Sequence, residues 1–259
     1  MPAPALELRA VPAFADNYIW VLADEAGDAV AVDPGDARPV KTRLDKEGWR
    51  LRAILVTHHH ADHSGGAAEL SDHGRIPVLA PDDDRIPAAT CRVGDGERVE
   101  LDAPRIGFDV IAVPGHTSSH VAYHGHGFLF CGDTLFSVGC GRMFEGDAAQ
   151  MLASLDRLAE LPAETRVCCG HEYTLANCAF ALTVEPGNEA LRERAKEARR
   201  SRDAGQPTLP VRLASELACN PFLRVDADEI RSAPGMPGGR TSRFAELRRR
   251  KDQFRAPPS

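Results

Sequence analysis

No stretch of the chain comes near the roughly 20 consecutive apolar residues that a membrane-spanning helix requires. The opening residues Met1-Pro2-Ala3-Pro4-Ala5 lack both a positively charged start and an apolar core, so no secretory signal is expected. No Cys-x-x-Cys pair occurs, and the seven cysteines are an odd number. A disulfide framework and a Cys-rich zinc finger are therefore not expected, and a reducing, cytoplasmic compartment is. An excess of positive charge is missing too: 31 Lys+Arg stand against 38 Asp+Glu, a net charge of −7. No basic stripe is interleaved with aromatics. Both facts argue against nucleic acid or a membrane surface as a partner. Internal repeats are absent. What remains, 43% hydrophobic and 27% charged residues, is globular composition.

The 259 residues suffice for one large domain or two smaller ones, and the charge is unevenly spread over them. Residues 1–173 hold 15 Lys+Arg and 27 Asp+Glu, a balance of −12, whereas residues 174–259 hold 16 and 11, a balance of +5. The hydrophobic pattern changes at the same place. Before it, strands are expected at Asn17–Asp24 and Asp28–Val32 as a hairpin, then at 52–57, 78–80, 98–101, 109–113, 120–124, 128–131 and 166–169. Helices are expected at 37–49, 66–72 and 148–161. After it, only helical spacing is evident, at 175–184, 189–202, 213–218 and 242–254, with a loop over 232–239. The expected domains are therefore 1–173 and 174–259. The Asp82-Asp83-Asp84 run reads as a solvated loop.

The most informative segment is Thr57-His58-His59-His60-Ala61-Asp62-His63-Ser64-Gly65-Gly66, which directly follows an apolar strand. Five metal-competent side chains fall within six positions, and a loop leaving a rigid strand can turn several of them inward. Imidazole and carboxylate suit zinc, iron or manganese. Three later strand ends carry similar steps: Gly115-His116, Gly132-Asp133 and Gly170-His171. Asp33 and Thr57, also at strand ends, are candidates for supporting ligand histidines, although a simple turn accounts for Asp33 equally well. His73, His120, His124 and His126 are expected to be ordinary, and Cys131, Cys168 and Cys169 to be core residues.

The run Thr57-His58-x-His60-x-Asp62-His63 resembles the first motif of the metallo-β-lactamase superfamily, and His116, Asp133 and His171 fall at its later motifs. That resemblance implies an α/β fold, a four-layer αββα sandwich, with a binuclear metal site at one edge. It implies His58, His60 and His116 as ligands of a first metal, Asp62, His63 and His171 as ligands of a second, and Asp133 as the bridge. Two divalent cations, zinc foremost with iron or manganese as alternatives, are then expected to acidify a water for hydrolysis, with Asp62 and Asp133 as catalytic carboxylates.

Within the superfamily the chain is similar to the glyoxalase II (hydroxyacylglutathione hydrolase) family. The similarity rests on Gly132-Asp133-Thr134-Leu135-Phe136 with Gly139-Cys140-Gly141-Arg142, Gly170-His171-Glu172-Tyr173-Thr174 with Asn177, Asn220-Pro221-Phe222-Leu223-Arg224, and Arg250-Lys251-Asp252-Gln253-Phe254. It spans almost the whole chain and includes a small all-helical C-terminal domain that binds glutathione. It implies Arg142, Tyr173, Arg248 and Lys251 as contacts to a glutathione thioester, with Phe144 where the family often has Tyr and Arg142 where Lys is common. A solvated helix face is the alternative for the basic run 248–251, and Arg249 and Arg250 are left to solvent. The expected reaction is hydrolysis of an S-(2-hydroxyacyl)glutathione, S-D-lactoylglutathione foremost, to glutathione and D-lactate in methylglyoxal detoxification, by a monomer. A glutathione persulfide dioxygenase, a nuclease of the same fold and a non-catalytic metal-binding protein are the competing readings. The complete second-metal set disfavours the first, and the acidic balance disfavours the second.

Overall fold

The computed structural model describes residues 5–72 and 74–255. The expectations about Met1–Pro4 and His73 lie outside the described residues. The chain divides into two compact units: one built on the chain up to Ala112 and on Ser119–Gly132, the other on Val113–Ser118 and the chain from Asp133 onward.

The first unit contains two sheets. In one, β1 (Leu6–Ala13), β2 (Asn17–Asp24) and β3 (Asp28–Val32) run antiparallel. After helix α1 (Ala37–Glu47) come β4 (Arg50–Leu55), the short helices α2 (Ala61–Ser64) and α3 (Ala67–Leu70), β5 (Val78–Pro81) and β6 (Cys91–Val93), which extend the sheet in parallel. Seven of the eight residues of β2 are buried, as an unbroken apolar run predicts for a strand covered on both faces. Helix α1 begins where the Asp36 carboxylate accepts from Arg38 N (2.9 Å) and ends at Gly48, whose φ of 69° is the left-handed conformation that glycine adopts cheaply. Its Ala37, Val40 and Leu44 pack with Ile19, Val21, Ile54 and Val56. The second sheet is the antiparallel meander β7 (Arg98–Asp102), β8 (Arg105–Ala112), β9 (Val121–Gly125) and β10 (Phe128–Gly132). Its Tyr123 hydroxyl lies 3.0 Å from Val56 O and 3.2 Å from Leu79 O, tying it to the first sheet.

The second unit begins with a minimal hairpin, β11 (Leu135–Phe136) and β12 (Gly139–Cys140). Helix α4 (Ala148–Ala159) follows, started by a capping box between Asp147 and Gln150 and burying Met151, Leu152, Leu155 and Leu158. After β13 (Arg166–Cys169) come α5 (Thr174–Val184), α6 (Glu189–Asp203), β14 (Val211–Arg212), α7 (Leu213–Cys219), α8 (Asp228–Ser232) and α9 (Arg240–Gln253). The C-terminal stretch is helical apart from β14, which pairs antiparallel with β13 and departs from the all-helical expectation. Two residues carry no periodicity, so such a strand leaves no sequence pattern. Phe180, Phe222 and Phe244 form its aromatic core. Arg240 of α9 grips Asp156 of α4 with both terminal nitrogens at 2.6 Å. Among the described residues, no helix is long and apolar enough to cross a membrane.

Candidate active site

In the first unit the parallel strands β3 and β4 run out side by side, delivering Asp33 from one and Thr57-His58 from the other. Asp33 is 4% exposed and collects three donors: Thr57 N at 2.7 Å, Thr57 Oγ1 at 2.8 Å and His63 Nδ1 at 3.0 Å. Because the Thr57 hydroxyl proton goes to Asp33, its oxygen accepts from His58 Nδ1, 3.0 Å away. The ring of His58 lies 4.2 Å from that of His63 and 4.8 Å from that of His60, centroid to centroid. Donor atoms of Asp33, His58 and His63 all fall within 4.8 Å of one another. The Asn17 side chain donates to Asp62 Oδ2 at 2.9 Å and holds that carboxylate in place. Gly35 permits the approach, since a Cβ there would collide with the Asp62 backbone.

In the second unit His116, Asp133 and His171 converge. Asp133 Oδ2 is 3.3 Å from His171 Nε2 and 3.5 Å from His116 Nε2. His116 Nδ1 faces the Arg142 carbonyl at 2.8 Å. Tyr173 stacks on His171, with ring centroids 4.7 Å apart and an interplanar angle of 5°.

The donor set fits a divalent cation. The Asp33 carboxylate and the Arg142 carbonyl can only accept, so in their neutral, metal-binding form the rings of His63 and His116 carry the proton on Nδ1 and a lone pair on Nε2. Those lone pairs face carboxylate oxygens, His63 Nε2 at 3.4 Å from Asp62 Oδ2 and His116 Nε2 at 3.5 Å from Asp133 Oδ2. Lone pair against lone pair is repulsive, and a metal ion between them reverses the sign. The chain thus carries a His/Asp cluster suited to divalent metal ions.

A cavity of about 450 Å³ in the second unit is lined by Arg142, Phe144, Tyr173, Arg248 and Lys251 together with His116 and Asp133. Phe144 is 63% exposed and meets the His116 ring edge-on at 5.2 Å. Arg248 is buried. It donates to the Cys140 carbonyl (2.8 Å) and to Asp252 (2.9 Å), and its guanidinium lies over Phe222. Lys251 donates to Ala176 O at 3.1 Å and lies over Phe180 and Phe254. Burial, and secondly the Arg248 charge, push its pKa down to about 8. Arg249 and Arg250 both pair with Glu246 on the same helix.

Asp83 is not part of a solvated loop. It is buried, gripped by Arg85 at 2.8 Å and by the Ser119 hydroxyl at 2.5 Å, and the Arg85 guanidinium foremost holds its pKa well below the usual carboxylate range. His59 of the histidine run turns toward it, Nδ1 lying 3.6 Å from Asp83 Oδ2. His120 is fully buried, stacked 4.5 Å from His58 with its Nδ1 against Val121 O. Asn17 was missed; an Asn opening a strand carries no signal by itself.

The description "Metallo-beta-lactamase superfamily" matches residues 14–171, and "Hydroxyacylglutathione hydrolase C-terminus" matches residues 172–254. The chain is 56% identical over 257 residues to a hydroxyacylglutathione hydrolase of Xanthomonas campestris pv. campestris, covering 97% of this chain and 100% of that one. To a protein of the same name from Pseudomonas paraeruginosa it is 51% identical over 259 residues, covering 96% and 100%. Among solved structures it resembles the BLEG-1 B3 metallo-β-lactamase with a TM-score of 0.63 and 24% identity, over 85% of this chain and 100% of that one. That likeness shows the fold, a metallo-β-lactamase fold.

Proposed function

Because the chain belongs to the hydroxyacylglutathione hydrolases of the metallo-β-lactamase superfamily, we propose that it hydrolyses S-(2-hydroxyacyl)glutathione, S-D-lactoylglutathione foremost, to glutathione and D-lactate in methylglyoxal detoxification. The observation that carries this reading is the cavity in which Arg142 and Lys251 share a lining with His116 and Asp133, so that cations suited to an anionic thiol tripeptide adjoin metal-ligand side chains.

In this reading His58, His60 and His116 would hold one divalent metal and Asp62, His63 and His171 a second, with Asp133 a ligand available to either; zinc is the first choice, iron and manganese the alternatives. When bound, the pair supplies an acidified water and positive charge for the oxyanion of the attacked thioester. The chain does the rest. Asp33 and Thr57 fix which nitrogen of His58 and His63 is the ligand atom. Asp62, held by Asn17, accepts a hydrogen bond from the attacking water and aims it. Arg142 and Lys251 bind the glutathione carboxylates, and Tyr173 steadies His171 from one face. Phe144 offers no hydroxyl to the substrate, which costs about 0.5–1.5 kcal/mol relative to a Tyr there. Thiol nucleophiles are not needed, and burial pushes the Cys168 and Cys169 thiols far up. The proposal includes a cytoplasmic monomer without nucleic-acid or membrane partners, domains of 1–173 and 174–259, and Arg248 as a glutathione contact as well as a structural tie.

The test is metal content measured together with thioester turnover. Two metals per fully loaded chain and hydrolysis of S-D-lactoylglutathione are expected, and Asp133→Ala should lose both. One metal per loaded chain, or no thioesterase activity with metal present, overturns the reading. Oxygen uptake with glutathione persulfide would transfer it to the dioxygenase.

A further inference from the structure

Glu216 is fully buried on α7, and none of the chemistry above uses it. Its carboxylate accepts from Val138 N at 2.7 Å, Ser137 Oγ at 2.9 Å and Asn220 Nδ2 at 3.0 Å. Burial raises its pKa, and these donors together with the Arg194 charge oppose the rise. All of this surrounds one turn, Ser137-Val138, between β11 and β12. Val138 has φ +57°, a strained conformation for a β-branched residue that persists only where the surroundings over-determine it. They do so here. Asn220 Nδ2 also reaches Phe136 O and Gly139 O, Asn177 donates to Ser137 O, and Arg194 Nη2 donates to Ser137 Oγ (3.0 Å) and to Thr208 O (2.8 Å).

The open end of the same hairpin carries function. Gly141 N bonds Thr134 O at 3.1 Å, so Asp133 leaves one strand and Arg142 the other. Gly141 has no space for a side chain, because a Cβ would run into the Asp133 carbonyl. The Arg142 carbonyl fixes His116, the Cys140 carbonyl holds Arg248, and the Phe136 ring packs against His171 and Tyr173. We infer that Glu216 is a positioning residue. By pinning the strained Ser137-Val138 turn, its carboxylate sets the placement of Asp133 and Arg142 at the far end of the hairpin. A fully satisfied buried polar network suits such a task, since it admits one geometry.

The test compares Glu216→Gln with Glu185→Gln, a second buried carboxylate whose partner is Arg224 rather than the hairpin. Gln keeps the shape of Glu216 but turns one of its two acceptor oxygens into a donor, which then faces either the Ser137 hydroxyl or the Val138 and Asn220 N–H groups. In the zinc-loaded chain, Glu216→Gln should release zinc to EDTA roughly tenfold faster than the wild type and raise KM for S-D-lactoylglutathione several-fold, while Glu185→Gln does neither. Zinc release is read without substrate, so a wild type inactive on the thioester would undo the functional reading, on which the KM arm rests, and leave this one standing. Should Glu216→Gln fail to fold, Ser137→Ala removes one arm of the network and should shift both quantities in the same direction by a smaller factor. Wild-type zinc release and KM in the folded variant, or equal effects in Glu185→Gln, overturn the inference.

Discussion

Lys251 illustrates how one residue can be read twice. Its ammonium lies over two phenyl rings and near Arg248, and burial with that like charge pushes its pKa down to about 8; Asp252, Cys140 and Cys178 act weakly the other way. A lysine with a depressed pKa is cationic below that value and neutral above it. Its attraction for a glutathione carboxylate is therefore fully present at pH 7 and fades as pH rises through about 8. KM for the thioester should climb across pH 7.5–9.5 by up to about tenfold in the wild type, and Lys251→Arg, which stays charged, should flatten the climb. A KM–pH profile equally steep in both proteins would remove Lys251 from the binding set. At this scale the sequence was most legible where chemistry demands rare residue types: all seven candidate ligands are His or Asp, either inside the His-rich run 58–63 or directly after a Gly. It was least legible where a residue's partner is distant in the chain. Nothing near Asp83 announces that Ser119 will bond it, and Asp33 is divided between a turn residue and a support for a ligand histidine until Thr57 and His63 are seen beside it.

At the scale of elements, the parallel pair β3–β4 carries much of the site. Parallel neighbours end in register, so the residues just past them, Asp33 and Thr57, meet as acceptor and donor. Asp33 has φ +52°, a backbone conformation that Asn tolerates as well as Asp. Asp33→Asn therefore keeps the turn and removes only the charge and one acceptor, leaving His63 without a strong partner for Nδ1. Metal affinity measured by chelator competition should fall by roughly 10–100-fold; an unchanged affinity would leave Asp33 a turn residue only. Long elements such as β2, α1 and α4 were readable from periodicity and caps. Those that escaped are short or interrupted. Strand β1 mixes Glu7, Arg9 and Pro12 into an edge strand, and β11, β12 and β14 have two residues each, too few for any period to show. The hairpin that sets Asp133 and Arg142 is among them, because its geometry comes from Glu216, some 80 residues later, rather than from its own sequence.

At the scale of the whole molecule, two electrostatic signals oppose each other. The net charge of −7 repels an anionic thioester from a distance, while the balance of +5 over residues 174–259 attracts it locally. Arg142, Arg248, Lys251 and Arg255 line the cavity with Asp252 as their counter-charge. Screening decides which signal the substrate feels. The Debye length is about 8 Å at physiological ionic strength, so charges spread over the far surface are damped while those lining a cavity act at contact range. Added salt should then lower kcat/KM for S-D-lactoylglutathione, by about two- to fivefold between 20 and 500 mM NaCl, chiefly through KM. If the net charge governed encounter instead, salt would relieve the repulsion and kcat/KM would rise. Stopped-flow or initial-rate measurements over that range separate the two by sign alone. Charge reversal at Arg142 or Lys251 should flatten or invert the dependence, whereas reversal at Arg199 of α6, which does not line this cavity, should leave it unchanged.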